Sequence, residues 1–241
     1  MKNMRGIFPG FFTMGNMLCG FLAILYGLDG DLVHAAWLVI LAGFFDALDG
    51  KIARFSKSAS QFGTELDSFA DLVSFGIAPA VILYSYKISY LGKWGWILGF
   101  VFILCGAFRL ARFNLQARLG ELDYYMGLPI PVAAITLTGY TLFCHELWGE
   151  IRYVELWVAM VVIFSGLMVS GFSYDTFPKF SLNSRENKIK LLYIFVAFVA
   201  ILVKPRLMIF PLGLIYIVSG IGREVYHLVH IERKDKVAES P

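Results

Sequence analysis

The fold of this chain is decided by residues 44–80, which read FFDALDGKIARFSKSASQFGTELDSFADLVSFGIAPA. The stretch places Asp46, Asp49, Asp67 and Asp71 inside or beside strongly apolar sequence. A carboxylate at the centre of a membrane helix costs roughly 2.5 kcal/mol or more, so such residues are rare and are usually functional. Four aspartates in such a position therefore need a cationic partner.

The spacing of these aspartates places each pair on one face of a helix. Asp46 and Asp49 are three residues apart and Asp67 and Asp71 are four apart, which are the separations of neighbours on a helix surface. Small residues flank both pairs: Gly50, Ala53 and Gly63. They allow a ligand or a second backbone to approach closely. Residues 55–62, which link the two helices, are few and mostly polar. We therefore expect the two helices to form an antiparallel hairpin with both aspartate pairs at similar depth.

The aspartates offer oxygen ligands, which hard cations such as Mg²⁺ and Mn²⁺ prefer. Two ions held by four carboxylates would form a two-metal site of the kind used for phosphoryl displacement. The alternative is a set of ion pairs between helices, or of solvated carboxylates in a loop. Lys51 and Arg54 are too few to neutralise four acids, so the metal site is the favoured interpretation.

The whole chain is too apolar for an ordinary soluble domain, because 58% of its 241 residues are hydrophobic and only 16% are charged. We predict an all-α, polytopic membrane bundle of about eight transmembrane helices. The candidate spans are residues 8–26, 34–55, 66–86, 94–112, 129–147, 155–172, 189–203 and 207–229. We expect a single integral membrane domain over residues 1–231 and a charged, disordered tail over 232–241.

The basic residues predict how the spans are oriented. Eight spans put both termini on one side, and that side would carry sixteen of the 21 Lys and Arg residues. The positive-inside rule therefore places both termini and the aspartates at the cytoplasmic face of the cell (inner) membrane. All five tryptophans fall at the opposite ends of the predicted spans, where amphipathic rings anchor: Trp37, Trp94, Trp96, Trp148 and Trp157. The net charge of +3 is too small to indicate nucleic acid, and a basic face suits anionic lipid headgroups.

From Asp46 to Asp71 the residues follow the pattern D-x2-D-G-x2-A-R-x8-G-x3-D-x3-D without a mismatch. This pattern resembles the signature of the CDP-alcohol phosphotransferase family, integral membrane enzymes that move a phosphatidyl or similar group from a CDP-linked donor to an alcohol. The resemblance implies a core of six helices, here followed by two more, and a homodimer. It also implies divalent ions, Mg²⁺ or Mn²⁺, on the four aspartates and proton abstraction by Asp71.

The resemblance further implies a site for the nucleotide of the donor. Gly50, Ala53 and Gly63 would leave room for the cytidine, and Arg54 would pair with a phosphate.

The first span carries a polar face formed by Thr13 and Asn16 at about the depth of the aspartates. In the resembled family this region, commonly P-N-x-x-T, borders the nucleotide. Pro9 and Thr13 match that pattern, whereas Gly10 stands where asparagine is common. We therefore predict that Thr13 and Asn16 contact the donor, and helix packing is the alternative.

Sequence beyond the aspartates resembles the branch of the family that uses L-serine as its acceptor. The similar stretches are SFGIAPA at 74–80, RLARFN at 109–114 and GLPIPVAA at 127–134. They imply transfer of a phosphatidyl group from CDP-diacylglycerol to the hydroxyl of L-serine, with release of CMP. Arg109 and Arg112 are candidates for acceptor binding, because a guanidinium suits a carboxylate or a phosphate. Snorkelling to lipid phosphates is the alternative for both.

Two other functions stay open at this point. Within the family, the acceptor could be glycerol 3-phosphate or an inositol phosphate, which would favour additional basic residues. Outside the family, cation transporters also use membrane carboxylates. A transporter predicts carboxylates near the bilayer midplane and inverted repeats, whereas this chain has its acids at one interface and in one hairpin.

Overall fold

The computed structural model is a bundle of long helices, and it describes residues 7–56, 61–86, 91–119, 125–174, 196–197 and 199–238. In chain order the helices are α1 (Ile7–Leu28), α2 (Leu32–Ser56), α3 (Gln61–Asp71), a π-helical segment (Leu72–Ile77), α4 (Ala78–Tyr86), α5 (Lys93–Leu119), α6 (Ile130–Trp148), α7 (Val154–Val169) and α8 (Pro205–Ala238). Two short strands, β1 (Tyr125–Met126) and β2 (Ser173–Tyr174), pair antiparallel. The predicted all-α membrane fold is confirmed.

Five described helical segments are long and apolar enough to cross a membrane: Gly10–Leu28, Leu32–Ile52, Gln61–Tyr86, Lys93–Ala117 and Pro205–Glu224. Each coincides with a predicted span. Helices α6 and α7, with 19 and 16 residues, cover two further predicted spans. Residues 189–195 and 198 of the predicted span 189–203 lie outside the described residues. The molecule is an integral membrane protein.

The span Gln61–Tyr86 changes its winding directly after Asp71. Residues Leu72–Ile77 form the π-helical segment, and the N–H of Ala78 donates to the carbonyl of Val73, five residues back. Pro79 follows, and proline lacks the N–H that a regular α-helix would use at that position. Segments of π-helix inside α-helices occur frequently at functional sites.

Helix α1 packs closely against the π-helical segment and α4 through glycines. A Cβ on Gly20 would overlap the Oγ of Ser74, and a Cβ on Gly27 would lie 3.0 Å from Cγ1 of Ile82. These contacts bring the polar face of α1 to the level of the aspartates.

Helix α8 packs on α6. A Cβ on Gly139 would lie 2.8 Å from Cγ2 of Ile209, and the rings of Tyr140 and Phe210 lie 5.0 Å apart. The backbone of α8 continues to Ala238, so it includes most of the segment 232–241 that the sequence predicted as a disordered tail. Glutamate, arginine and lysine are good helix formers, which accounts for this difference.

The tryptophans do not all lie where the sequence predicts. Trp94 and Trp96 are exposed at the start of α5, as expected for interfacial anchors. Trp157, in contrast, is only 1% exposed and packs beside Tyr86, with 6.3 Å between ring centroids. Its prediction as an interfacial residue is wrong, because α7 turns this side chain into the bundle.

Candidate active site

Three of the four aspartates come together in the structure. Asp46 of α2 and Asp67 and Asp71 of α3 each offer a carboxylate oxygen, and these oxygens all lie within 4.8 Å of one another. Asp71 is buried, and the other two are half-buried. The predicted convergence of carboxylates from two neighbouring spans is confirmed for these three residues.

Asp49, the fourth aspartate, lies outside this group and contacts α1 instead. It is 5% exposed, and its Oδ2 accepts a hydrogen bond from the Thr13 hydroxyl of α1. It lies within electrostatic range of Asp46 and Asp67 but is not one of the three grouped carboxylates. Its role as a fourth ligand stays a prediction.

The grouped carboxylates fit a divalent cation. Oδ1 of Asp67 is buried and has no hydrogen-bond partner in the described part of the chain. A buried acceptor without a donor is costly, so it indicates a partner of another kind. A cation between the three carboxylates would be such a partner, and a set of oxygen donors suits Mg²⁺ or Mn²⁺.

Helix α1 also contacts the second aspartate of α3. Asn16 is completely buried, and its Nδ2 donates to Oδ1 of Asp71 at 3.0 Å. Thr13 and Asn16 therefore both direct their side chains at carboxylates. Their predicted contact with the nucleotide stays a prediction.

The other residues predicted to bind the donor lie on α2 and α3, the two helices that carry the aspartates. Gly50, Ala53 and Arg54 belong to α2, and Gly63 lies one turn before Asp67 on α3. The side chains of Ala53 and Arg54 lie outside the described part of the chain. The donor-binding role stays a prediction for all four.

The two arginines of α5 have different surroundings. Arg109 is 7% exposed, and its guanidinium lies 5.1 Å from the ring centroid of Phe113. It is within electrostatic range of Asp46 and Asp71. Its predicted contact with the acceptor stays a prediction, and its position beside the carboxylates is compatible with that role.

Arg112, in contrast, donates hydrogen bonds to backbone carbonyls of other elements. Its guanidinium donates hydrogen bonds of 2.8 to 3.1 Å to the carbonyls of Met126, Met168, Val169 and Ser170. It thereby joins α5 to β1 and to the end of α7, whose last carbonyls have no partner within the helix. The structure thus gives Arg112 a structural task, and its predicted contact with the acceptor remains a prediction that would have to coexist with these bonds.

Substitution of Arg112 by alanine is expected to lower the stability of the protein by about 2 kcal/mol or more, because it removes charged donors from several carbonyls. This corresponds to a fall in Tm of roughly 5 °C. Arg112→Lys is expected to recover little, since one ammonium cannot replace a planar fork. Thermal unfolding of the purified protein in detergent measures the effect, and Arg152→Ala at an exposed loop is the control. An unchanged Tm for Arg112→Ala would contradict this prediction.

One contact beside the site, between Asn114 and Ser68, is not predicted from the sequence. Nδ2 of Asn114 donates to Oγ of Ser68 at 2.8 Å, and this hydroxyl in turn donates to the carbonyl of Thr64 at 3.1 Å. Ser68 directly follows Asp67, so the contact links α5 to the helix that carries two aspartates. The signal available in the sequence is the stretch RLARFN at 109–114, which contains Asn114 beside the two predicted arginines.

Comparison with known proteins identifies the family. The family model described as CDP-alcohol phosphatidyltransferase matches residues 6–165, which include α1 to α6, all four aspartates and both arginines of α5. The chain belongs to the CDP-alcohol phosphatidyltransferase family. It is therefore an enzyme, and membership of this family favours group transfer over cation transport. Helix α8 lies beyond the residues that the family model matches.

Curated relatives of this family member extend the similarity. The chain is 34% identical over 230 residues to a CDP-diacylglycerol–serine O-phosphatidyltransferase of Helicobacter pylori strain J99, covering 93% of this chain and 94% of that protein. It is 41% identical over 180 residues to the Bacillus subtilis protein of the same name, covering 74% and 96%. It is also 38% identical over 169 residues to the archaetidylserine synthase of Methanothermobacter thermautotrophicus, covering 69% and 68%.

Proposed function

We propose that this enzyme transfers a phosphatidyl group from CDP-diacylglycerol to the hydroxyl of L-serine and releases CMP. The observation that carries the proposal is the convergence of Asp46, Asp67 and Asp71 in a member of this family. The names of the relatives support serine as the acceptor. Serine appears in the name CDP-diacylglycerol–serine O-phosphatidyltransferase and in the name archaetidylserine synthase. In this proposal, residues 1–231 form one catalytic membrane domain.

The proposed reaction is a displacement at phosphorus. The hydroxyl oxygen of serine bonds to the phosphorus that carries diacylglycerol, and the bond from that phosphorus to the oxygen retained by CMP breaks. The hydroxyl proton passes to the carboxylate of Asp71, which acts as the general base. A bound Mg²⁺ or Mn²⁺ supplies positive charge for the phosphate oxygens. Asp46, Asp49, Asp67 and Asp71 would hold one or two such ions.

The neighbouring residues would orient the two substrates. The buried guanidinium of Arg109 would pair with the carboxylate of serine, since a planar fork matches that group. Gly50, Ala53 and Gly63 would leave room for the cytidine, and Arg54 would pair with a donor phosphate.

We further infer that the site faces the cytoplasm, as the distribution of lysine and arginine predicts. Serine would then reach it from water, and the lipid donor would enter from the bilayer. The homodimer implied by the family resemblance stays a prediction.

The choice of acceptor can be tested with purified protein in detergent. CDP-diacylglycerol is supplied with Mg²⁺ or Mn²⁺ and with L-serine, glycerol 3-phosphate or an inositol phosphate, and CMP release is measured against a reaction without acceptor. We expect serine to support release at least about 100-fold faster than the other alcohols, because a site that pairs polar groups discriminates strongly. Faster release with glycerol 3-phosphate or an inositol phosphate would assign a different acceptor to the same site.

A further inference from the structure

We propose that Asn16 is a positioning residue that sets the orientation of the Asp71 carboxylate, and this inference rests on the role of Asp71 in the proposed function. The carboxamide of Asn16 is completely buried, and its Nδ2 donates to Oδ1 of Asp71 at 3.0 Å. Its own Oδ1 has no partner within the described residues. The bond to Asp71 is therefore the side-chain hydrogen bond that accounts for a buried amide at this position.

The backbone of Asn16 makes a second contact with the span that carries Asp71. Its carbonyl accepts a hydrogen bond of 2.9 Å from the Oγ of Ser74, in the π-helical segment. Gly20, one turn further along α1, leaves space for Ser74 that a Cβ would fill. Two hydrogen bonds thus connect Asn16 to residues 71 and 74, on either side of the point where the helix widens.

The hydrogen bond from Asn16 restricts rotation of the Asp71 carboxylate, which suits its proposed role as the general base. With Oδ1 accepting from the amide, rotation of the carboxylate plane is limited, and Oδ2 keeps one direction. The donor is neutral, so it orients Asp71 without adding a positive charge that would repel a cation. Misplacement of a reacting group by about 1 Å can lower a rate by about 100-fold.

The test compares Asn16→Ala and Asn16→Leu with wild type. The first variant removes the amide and leaves a void, whereas the second fills most of the volume without a donor. We expect kcat for CMP release to fall at least about 10-fold in both, with KM for each substrate changed less than about threefold, since the lost contact orients a reacting group and binds no substrate. Size-exclusion profiles and Tm in detergent establish that each variant is folded.

Ser74→Ala is the matched control. It removes the hydrogen bond from Ser74 to the Asn16 carbonyl and leaves the side-chain contact with Asp71 in place, so kcat is expected to stay within about twofold of wild type. Loss of kcat in Ser74→Ala as large as in Asn16→Ala would show that general packing of α1 matters instead. A raised KM for CDP-diacylglycerol with unchanged kcat would assign Asn16 to the donor. Either result overturns the inference, as does an unchanged kcat in a folded Asn16 variant.

The kinetics are measured with the acceptor that the wild-type protein uses best. A wrong acceptor then overturns the proposed substrate and leaves the test of Asn16 intact. Absence of CMP release from wild type with every acceptor would overturn both.

Discussion

Replacement of Asp71 by asparagine is expected to lower kcat for CMP release by about 10² to 10⁴-fold, the usual contribution of a general base. Asparagine has nearly the same size and can still fill the buried position, so the fold is expected to persist. It cannot take a proton from the serine hydroxyl, and it removes one negative charge from the grouped carboxylates. The measurement is CMP release from CDP-diacylglycerol and serine in detergent, with divalent cation in excess so that weakened binding is compensated.

Asp31→Asn is the control for this change. Asp31 precedes α2 at the end remote from the grouped carboxylates, and its side chain is 42% exposed and pairs with His34 at 2.7 Å. The same substitution there is expected to leave kcat unchanged. If Asp71→Asn keeps normal turnover with donor, cation and serine supplied, another group accepts the proton and the assignment of the base is wrong.

Removal of divalent cations is the second change with a large expected effect. We expect chelation to slow CMP release by more than about 100-fold, because charge that develops on phosphate oxygens loses its main stabilising partner. Added Mg²⁺ or Mn²⁺ is expected to restore the rate. The structural reason is the group formed by Asp46, Asp67 and Asp71, in which a buried oxygen of Asp67 has no hydrogen-bond partner among the described residues.

Binding of the cation can be measured independently of turnover. Electron paramagnetic resonance of Mn²⁺ added to the purified protein is expected to report bound ion in wild type and markedly weaker binding in Asp67→Asn. Asp29→Asn, at an exposed turn between α1 and α2, is the matched control and is expected to bind as wild type does. Full activity in excess chelator, or equal Mn²⁺ binding by Asp67→Asn, would contradict a metal site at these carboxylates.

The sequence by itself determined the fold class and the convergence of three aspartates. Both depend on local properties of the chain: mean hydropathy over a window long enough to cross a bilayer, and the periodicity of the helix. Aspartates three or four residues apart must share a face whatever the helix packs against. Two neighbouring spans with such pairs at similar depth are therefore expected to bring their carboxylates together, as Asp46, Asp67 and Asp71 do.

Only the tertiary structure decided which partner each polar side chain selects. Asp49 accepts from Thr13, Asn16 donates to Asp71, and Arg112 donates to backbone carbonyls. These contacts depend on the rotation of each helix about its axis and on how closely backbones approach, as Gly20 permits against Ser74. Rotation and approach are set jointly by all packed neighbours, many of them distant along the chain, so no local pattern contains them.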